Sequence, residues 1–200
     1  METRETIIYK GVEIETFYDQ DYESPDHWGN EEFFLVYDHR DFCVERNGFD
    51  PDDIFEAMQE NKKLYDGYFY FPVYAYIHGD VSLSLGNRSY PFTCPWDTSF
   101  KGFVLVKREK GTWTASKAQS IAEGLINSWN ECLSGEVYGY SSESGSCWGF
   151  YGEEGYKQMI EEAKGEIDYD IAKKRKEHFN YLKQAIKSKI PYQYRMEAEL

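Results

Sequence analysis

Three pairs of strand-like segments in this sequence are each joined by a turn that is too short to hold a helix. The turns fall at Lys10-Gly11, at Gly79-Asp80 and within the serine-rich segment 141–146. Strands joined this tightly pair in antiparallel fashion, because a parallel pair needs a crossover connection of a dozen or more residues. The chain is therefore expected to build a mainly antiparallel sheet.

Helical patterns interrupt and follow the strands. Asp50 and Pro51 form a favourable helix start, and apolar residues recur at helical spacing in the segment that ends before Gly135. Two more helices are predicted in the last quarter of the chain, the second of them ending at Pro191. The predicted fold class is α+β: about six to seven short strands in a mainly antiparallel sheet packed with helices, the C-terminal helices last. The apolar strand at residues 33–37 is expected to be buried on both faces.

Charge is distributed unevenly along the chain. Residues 1–60 hold 18 acids and four Lys or Arg, which gives 4 − 18 = −14, whereas residues 61–200 hold 18 of each. Residues 171–195 alone carry eight bases and one acid. We predict a single α+β domain over residues 1–165, followed by a basic helical extension over residues 166–200 that packs on the domain or projects from it.

Four cysteines stand far apart in the sequence, and no pair has the spacing of a redox or zinc motif. No apolar run has the length that crosses a bilayer, and the first residues lack the pattern of a secretory signal. We therefore expect reduced thiols in a cytoplasmic protein without membrane association and without a cofactor. Zinc on dispersed Cys and His residues is disfavoured, because structural zinc ligands usually come in close pairs.

Alternating carboxylates at Asp19, Asp21 and Glu23 begin a polar loop. Such acids can gather around a hard cation. The loop has Ser24 and Asn30 where an EF-hand starting at Asp19 needs Gly and Glu, so it is not an EF-hand. We interpret it as a solvated acidic loop, with a metal site on the three carboxylates as the alternative.

A cysteine nucleophile is the second alternative. Cys94 would act with a distant histidine, His78 or His39, as its base and with Asp97 as the group that orients the base. The neighbours Pro95 and Trp96 instead favour a small buried side chain in a rigid bend. We therefore expect no catalytic residue, and we keep a small metal- or Cys/His-dependent hydrolase as the alternative function.

The favoured hypothesis is a non-enzymatic acidic protein that binds another protein. Its candidate binding residues are the acids Glu13, Glu15, Asp19, Asp21, Glu23 and Asp26. A further hypothesis is nucleic-acid contact through the bases Lys173, Lys174, Arg175 and Lys176. A run like this is more often a solvated helix face, and the glycine motifs that cradle phosphate are missing from the sequence.

Three blocks resemble those of a family of small proteins carried by bacteriophages, prophages and plasmids. The blocks read "FPVYAYIHGD", "YPFTCPWDTSFKGFVLV" and "LSGEVYGYSSESGSCWGFYG", and family members carry PFSCPWD-like and SCWGFYG-like sequences at the last two. The match covers roughly residues 19–152. Asp26 stands where members often have Arg, and residues 76–79 replace a "YDHSG" turn. The resemblance implies a setting, a mobile element inside a bacterial cell, and no reaction. In that setting we expect the acidic surface to bind a host protein, in an anti-defence or nucleic-acid-mimic role.

The same blocks are rich in aromatic residues, Pro and Gly, a composition that suits side-chain packing rather than acid–base chemistry. We expect the "TCPWD" bend to lie beside the "SCWGFYG" strand, bringing Cys94 and Cys147 into one region. The aromatic anchors would then be Trp96, Trp148, Phe150 and Tyr151.

Overall fold

The computed structural model describes residues 3–28, 31–46, 48–60, 67–86, 97–108 and 114–189. The described residues divide into two compact units. The first contains residues 3–18, 138–150 and 154–189, and the second contains the described residues between 19 and 137 together with 151–153. Within the described ranges, no helix has both the length and the apolar character needed to cross a membrane.

The described residues form nine strands and three helices. In chain order the strands are β1 (Thr3–Tyr9), β2 (Val12–Tyr18), β3 (Phe33–His39), β4 (Phe42–Val44), β5 (Tyr68–His78), β6 (Asp80–Leu85), β7 (Thr98–Lys107), β8 (Val137–Ser142) and β9 (Gly145–Tyr151). The helices are α1 (Pro51–Gln59), α2 (Ala115–Leu133) and α3 (Gly152–Lys189). The predicted α+β class, with antiparallel pairing and a C-terminal helix last, is confirmed, but the strands form two sheets instead of one.

The first unit is built on a four-stranded antiparallel sheet in the order β1-β2-β8-β9. Lys10 and Gly11 both have positive φ, 50° and 83°, so the predicted first hairpin closes in the two-residue turn that suits strand twist. The first half of α3 covers one face of this sheet and forms a core with it. That core contains Ile14, Tyr138, Tyr140, Tyr156, Met159, Ala163 and Ile167.

The second unit is built on a five-stranded antiparallel sheet in the order β4-β3-β7-β5-β6. One face packs on α2, where Trp129 joins Leu35 and Tyr37 of β3. The opposite face packs on α1, where Ile54 joins Phe34 and Val36 of the same strand. Successive residues of β3 thus enter two different cores, which confirms that this strand is buried on both faces.

The helix starts follow the sequence signals. The Asp50 side chain accepts a hydrogen bond from the Asp52 N–H at 2.8 Å, with Pro51 in the first turn of α1. In contrast, α3 is one continuous helix where two were predicted. Gly165 lies inside it and costs about 1 kcal/mol relative to Ala, but it leaves the backbone hydrogen bonds intact. The apolar stripe on the sheet continues on both sides of that glycine and offsets the cost.

The edge strand β6 is partly covered by a side chain of α2. The Leu83 N–H donates to Oδ1 of Asn130 at 2.7 Å, and Nδ2 of Asn130 donates to the Leu83 carbonyl at 2.9 Å. The amide thus occupies the two backbone groups that an added strand would use, which protects the edge from further pairing.

Candidate functional site

The acidic loop of residues 19–28 is tied to the second unit by aromatic side chains. The Tyr151 hydroxyl donates to the Glu23 carbonyl at 2.6 Å, and the indole Nε1 of Trp28 donates to the same oxygen at 3.3 Å. The two rings pack edge to face, 5.2 Å apart. The Tyr22 hydroxyl donates to the Cys132 carbonyl at 2.7 Å. Three aromatic residues therefore fix the path of the loop backbone.

The three alternating carboxylates of the loop do not converge. Asp19 donates its N–H to the Val137 carbonyl at 2.8 Å and accepts the Asp21 N–H on Oδ1 at 3.1 Å, so its side chain closes a local turn. Asp21 and Glu23 are exposed. Among the residues that the structure describes, no group of three or more His, Cys, Asp or Glu is arranged to hold a metal ion.

Asp26 belongs to a short 3-10 turn at Pro25–Trp28. Its Oδ1 accepts a hydrogen bond from Ser24 Oγ and lies 3.4 Å from Nδ1 of His27. The side chain is two-thirds buried and engaged within its own turn. It contributes negative charge to the loop but offers little surface to a partner.

Glu13 and Glu15 are on β2, in the first unit, and are not part of the loop. Both are exposed. Ile14, which lies between them in the strand, and Thr16, which follows Glu15, are buried. The alternation places the two carboxylates on the sheet face opposite α3. The six acids predicted as one binding surface therefore belong to two units.

His78 and Asp97 come together at one end of the five-stranded sheet. His78 Nδ1 lies 3.5 Å from Oδ2 of Asp97, whose carbonyl accepts the Ile77 N–H at 2.8 Å. The imidazole is 72% exposed and Asp97 is one-third exposed. A carboxylate beside a solvated imidazole can orient it as a base. Cys94, the third member of the predicted set, lies outside the described residues, as does its predicted approach to Cys147.

The described cysteines are free thiols, and two of them have raised pKa values. Burial, followed by the negative charge of Glu131, raises the pKa of Cys132 to about 12. Cys43 is exposed, but local desolvation and the carboxylate of Glu45 raise its pKa as well. Both thiols are therefore poor nucleophiles at neutral pH. Cys147 is half-buried and packs against the core of the first unit.

The aromatic residues of the "SCWGFYG" block pack in different places. Trp148 lies across Gly139, where a β-carbon would be 2.7 Å from Cζ3 of the indole, and its ring is 5.7 Å from that of Phe17. Tyr151 instead clamps the acidic loop. The block was predicted to supply aromatic anchors, but no pattern in the sequence indicated that Tyr151 would hold residues 19–28.

The basic residues of the predicted nucleic-acid surface lie in the second half of α3. Lys173, Lys174, Arg175 and Lys176 are all exposed. Every residue from 172 to 184 is exposed, and Phe179 and Tyr181 are among them. This part of the helix projects from the sheet that the first half covers.

An acidic cleft that the sequence did not suggest lies between β6 and α2. It has a volume of about 580 Å³, and its lining includes Asp80, Asn127, Glu131 and Glu136. Burial, followed by the charge of Glu136, raises the pKa of Glu131. Because these residues come from segments some 50 positions apart, no local pattern could have identified them.

Comparisons with family models, with curated proteins and with solved structures find no match to this chain. The geometry of the described residues is therefore the basis for assigning a function.

Proposed function

We propose that this chain is a non-catalytic binding protein whose acidic surface engages a basic surface on a host-cell protein. The setting implied by the sequence resemblance is the cytoplasm of a bacterium that carries a phage or another mobile element. Its role there is to occupy a host protein that acts against the element, or one that binds nucleic acid. The observation that carries the proposal is the acidic loop, whose backbone is tied down while two carboxylates face solvent.

A fixed loop binds at a lower entropic cost than a mobile one. Tyr22, Trp28 and Tyr151 already hold the backbone by three hydrogen bonds. A partner then needs to immobilise only the side chains of Asp21 and Glu23, at about 0.5–1.5 kcal/mol for each flexible side chain. This preorganisation favours recognition over a purely solubilising role for these acids.

The charge around the loop supports a basic partner. Residues 1–60 sum to −14 in the sequence, and Asp21 and Glu23 are exposed within the loop. A field of one sign speeds encounter with an oppositely charged surface, and salt weakens it. Mimicry of a nucleic acid is one form of this recognition, since an acidic protein and a nucleic acid both present a dense negative surface.

The test is affinity capture from a bacterial lysate across a salt series, with the double variant Asp21→Asn/Glu23→Gln beside the parent protein. A matched control, Glu153→Gln/Glu177→Gln, removes two exposed acids outside the acidic third of the chain. The parent and the control should retain the same basic protein at low salt, and the loop variant should lose it. If duplex DNA competes with this chain for the captured protein, the chain acts as a nucleic-acid mimic.

Equal retention by the parent and the loop variant would refute the proposal. So would a captured protein whose binding does not weaken as salt rises, because surface charges separated by more than about 8–10 Å are screened at 0.1–0.15 M salt.

A second candidate function, hydrolysis by Cys94, is favoured by the approach of His78 to Asp97. In that case the rate of iodoacetamide labelling at Cys94, read by peptide mass spectrometry, should rise at a pH well below the ordinary pKa of a thiol. His78→Gln should shift that rise to the ordinary range of a thiol, about 8.5. Labelling of Cys94 with the same pH profile in both proteins would remove this candidate.

A further inference from the structure

The second half of α3, residues 172–189, is a helix that no other described part of the chain covers. Phe179 is 66% exposed and Ile186 is 55% exposed. A lone helix of this length is marginal in water, and helices in proteins draw most of their stability from packing an apolar face. Exposed large apolar side chains on a helix therefore point to a surface that packs on it.

The side chains of this segment form an apolar stripe with basic residues beside it. Phe179, Leu182 and Ile186 follow the spacing i, i+3, i+7 and lie on one face. Lys176 and Lys183, seven residues apart, run along the flank of that stripe. The segment holds seven bases and one acid, giving 7 − 1 = +6. A surface that fits it must be both apolar and negative.

The outer face of the four-stranded sheet, the face opposite α3, has this character. Ile8 is 71% exposed there, and Trp148 is 37% exposed over Gly139. Phe17 packs against Trp148, which extends the apolar patch. An antiparallel sheet with one solvated face is normally polar on that face, so these side chains indicate an uncovered surface. Glu13 and Glu15 stand exposed in the same face and supply the negative charge.

The second half of α3 cannot reach the outer face of its own sheet. The first half of α3 packs on the inner face through Met159, Ala163 and Ile167, and the helix continues without a break to Lys189. The second half is therefore about 27 Å of rigid rod that leads away from the inner face. Among the described residues, Ile8, Glu13 and Glu15 stay exposed on the outer face, so this face is open to a second molecule.

We propose that the second half of α3 docks on the outer sheet face of a second copy of this chain, and that the exchange is reciprocal, giving a closed two-fold dimer. The stripe from Phe179 to Ile186 is about 10 Å long, and the four strands span about 14 Å, so one helix crosses the patch. Lys176 and Lys183 then face Glu13 and Glu15. Two reciprocal contacts close the assembly, so no open chain of subunits forms.

Nucleic acid is the other negative partner to consider, and it fits less well. Phosphate contacts would use the lysines but leave the apolar stripe in water. The remainder of the chain, at −14 − 6 = −20, also repels phosphate. The outer sheet face offers an apolar patch to the stripe of the helix and two carboxylates to its lysines.

Sedimentation velocity over a concentration series tests the proposal on the full chain. The parent protein should sediment as a dimer. Lys176→Glu/Lys183→Glu and Glu13→Lys/Glu15→Lys should each weaken dimerisation by about 100-fold, since like charges then oppose one another across the interface. An equimolar mixture of the two variants should restore dimers, because one contact is native and the other is reversed in sign on both sides.

Lys117→Glu/Lys157→Glu is the matched control: it makes the same charge change at exposed positions outside the stripe, and it should stay dimeric. A parent protein that remains monomeric at all concentrations overturns the proposal. A mixture that fails to dimerise also overturns it, and so does a monomeric parent that shifts duplex DNA through Lys176 and Lys183.

Discussion

Gly102 lies under the ring of Tyr37 in the middle of the five-stranded sheet, and Gly102→Ala should destabilise the second unit. The two residues are cross-strand partners on β7 and β3. A β-carbon at position 102 would overlap Cδ2 of Tyr37 and would lie 2.9 Å from its Cγ. Tyr37 is fully buried, and its hydroxyl donates to the Ser99 carbonyl at 2.9 Å. The ring must therefore move, and its hydroxyl must leave that site.

The size of the effect follows from these contacts. Forcing one extra carbon into a packed core costs about 1–3 kcal/mol. Loss of the Tyr37 hydrogen bond adds about 0.5–1.5 kcal/mol. We expect Gly102→Ala to lower the free energy of unfolding by about 2–4 kcal/mol, measured by urea denaturation followed by circular dichroism.

Two comparisons isolate the cause. Gly124→Ala is the same substitution on α2, where a β-carbon would meet nothing within 4 Å, and it should raise stability by up to about 1 kcal/mol. In a Tyr37→Ala background, Gly102→Ala should cost less than 1 kcal/mol, since the obstructing ring is gone. A full cost in that background, or no cost in the parent, would refute the reasoning.

Three further perturbations test other parts of the structure. Asn130→Leu should cost about 1–3 kcal/mol in urea denaturation because the N–H and C=O of Leu83 lose their partner, and light scattering should show faster aggregation through the uncovered edge. Asp50→Ala should cost about 1 kcal/mol by the same assay, whereas Asp50→Asn keeps the cap and should cost a few tenths. The pKa of Cys132 is raised from 9.0 to about 12, so the unfolded thiol loses its proton first as pH rises. The free energy of unfolding should therefore fall between pH 9 and pH 12, by up to about 1.4 kcal/mol per pH unit, and Cys132→Val should remove that part of the slope.

Local features of the fold could be predicted because few neighbouring residues determine them. The turn at Lys10-Gly11 and the cap at Asp50 each depend on three or four consecutive positions. The division into two sheets could not be predicted, because β2 pairs with β8 through contacts such as Ile14 with Ser142, 128 positions apart. Hairpin signals indicate which strands are neighbours in sequence, and they carry no information on which hairpins share a sheet.

The candidate site could be predicted from the sequence only in part, for the same reason. The acids at 19–23 could be found from their charge, but the side chain that pins the loop, Tyr151, lies 128 positions beyond Glu23. The approach of His78 to Asp97 also joins two segments that no motif connects. Side chains that meet through tertiary pairing leave no spacing signature, and the structure is needed to bring them together.

The pairing of β2 with β8 also sets an order of events during synthesis. After Tyr18 leaves the ribosome, 120 more residues must follow before Tyr138, its partner, is made. At about 5–20 residues per second this takes roughly 6–24 s. The nascent hairpin of β1 and β2 therefore remains with Ile14 uncovered for that time, and α3, which packs on Ile14, is translated later still. Glu13 and Glu15, on the other side of the strand, give the unpaired hairpin negative charge. This charge should disfavour its pairing with neighbouring nascent chains.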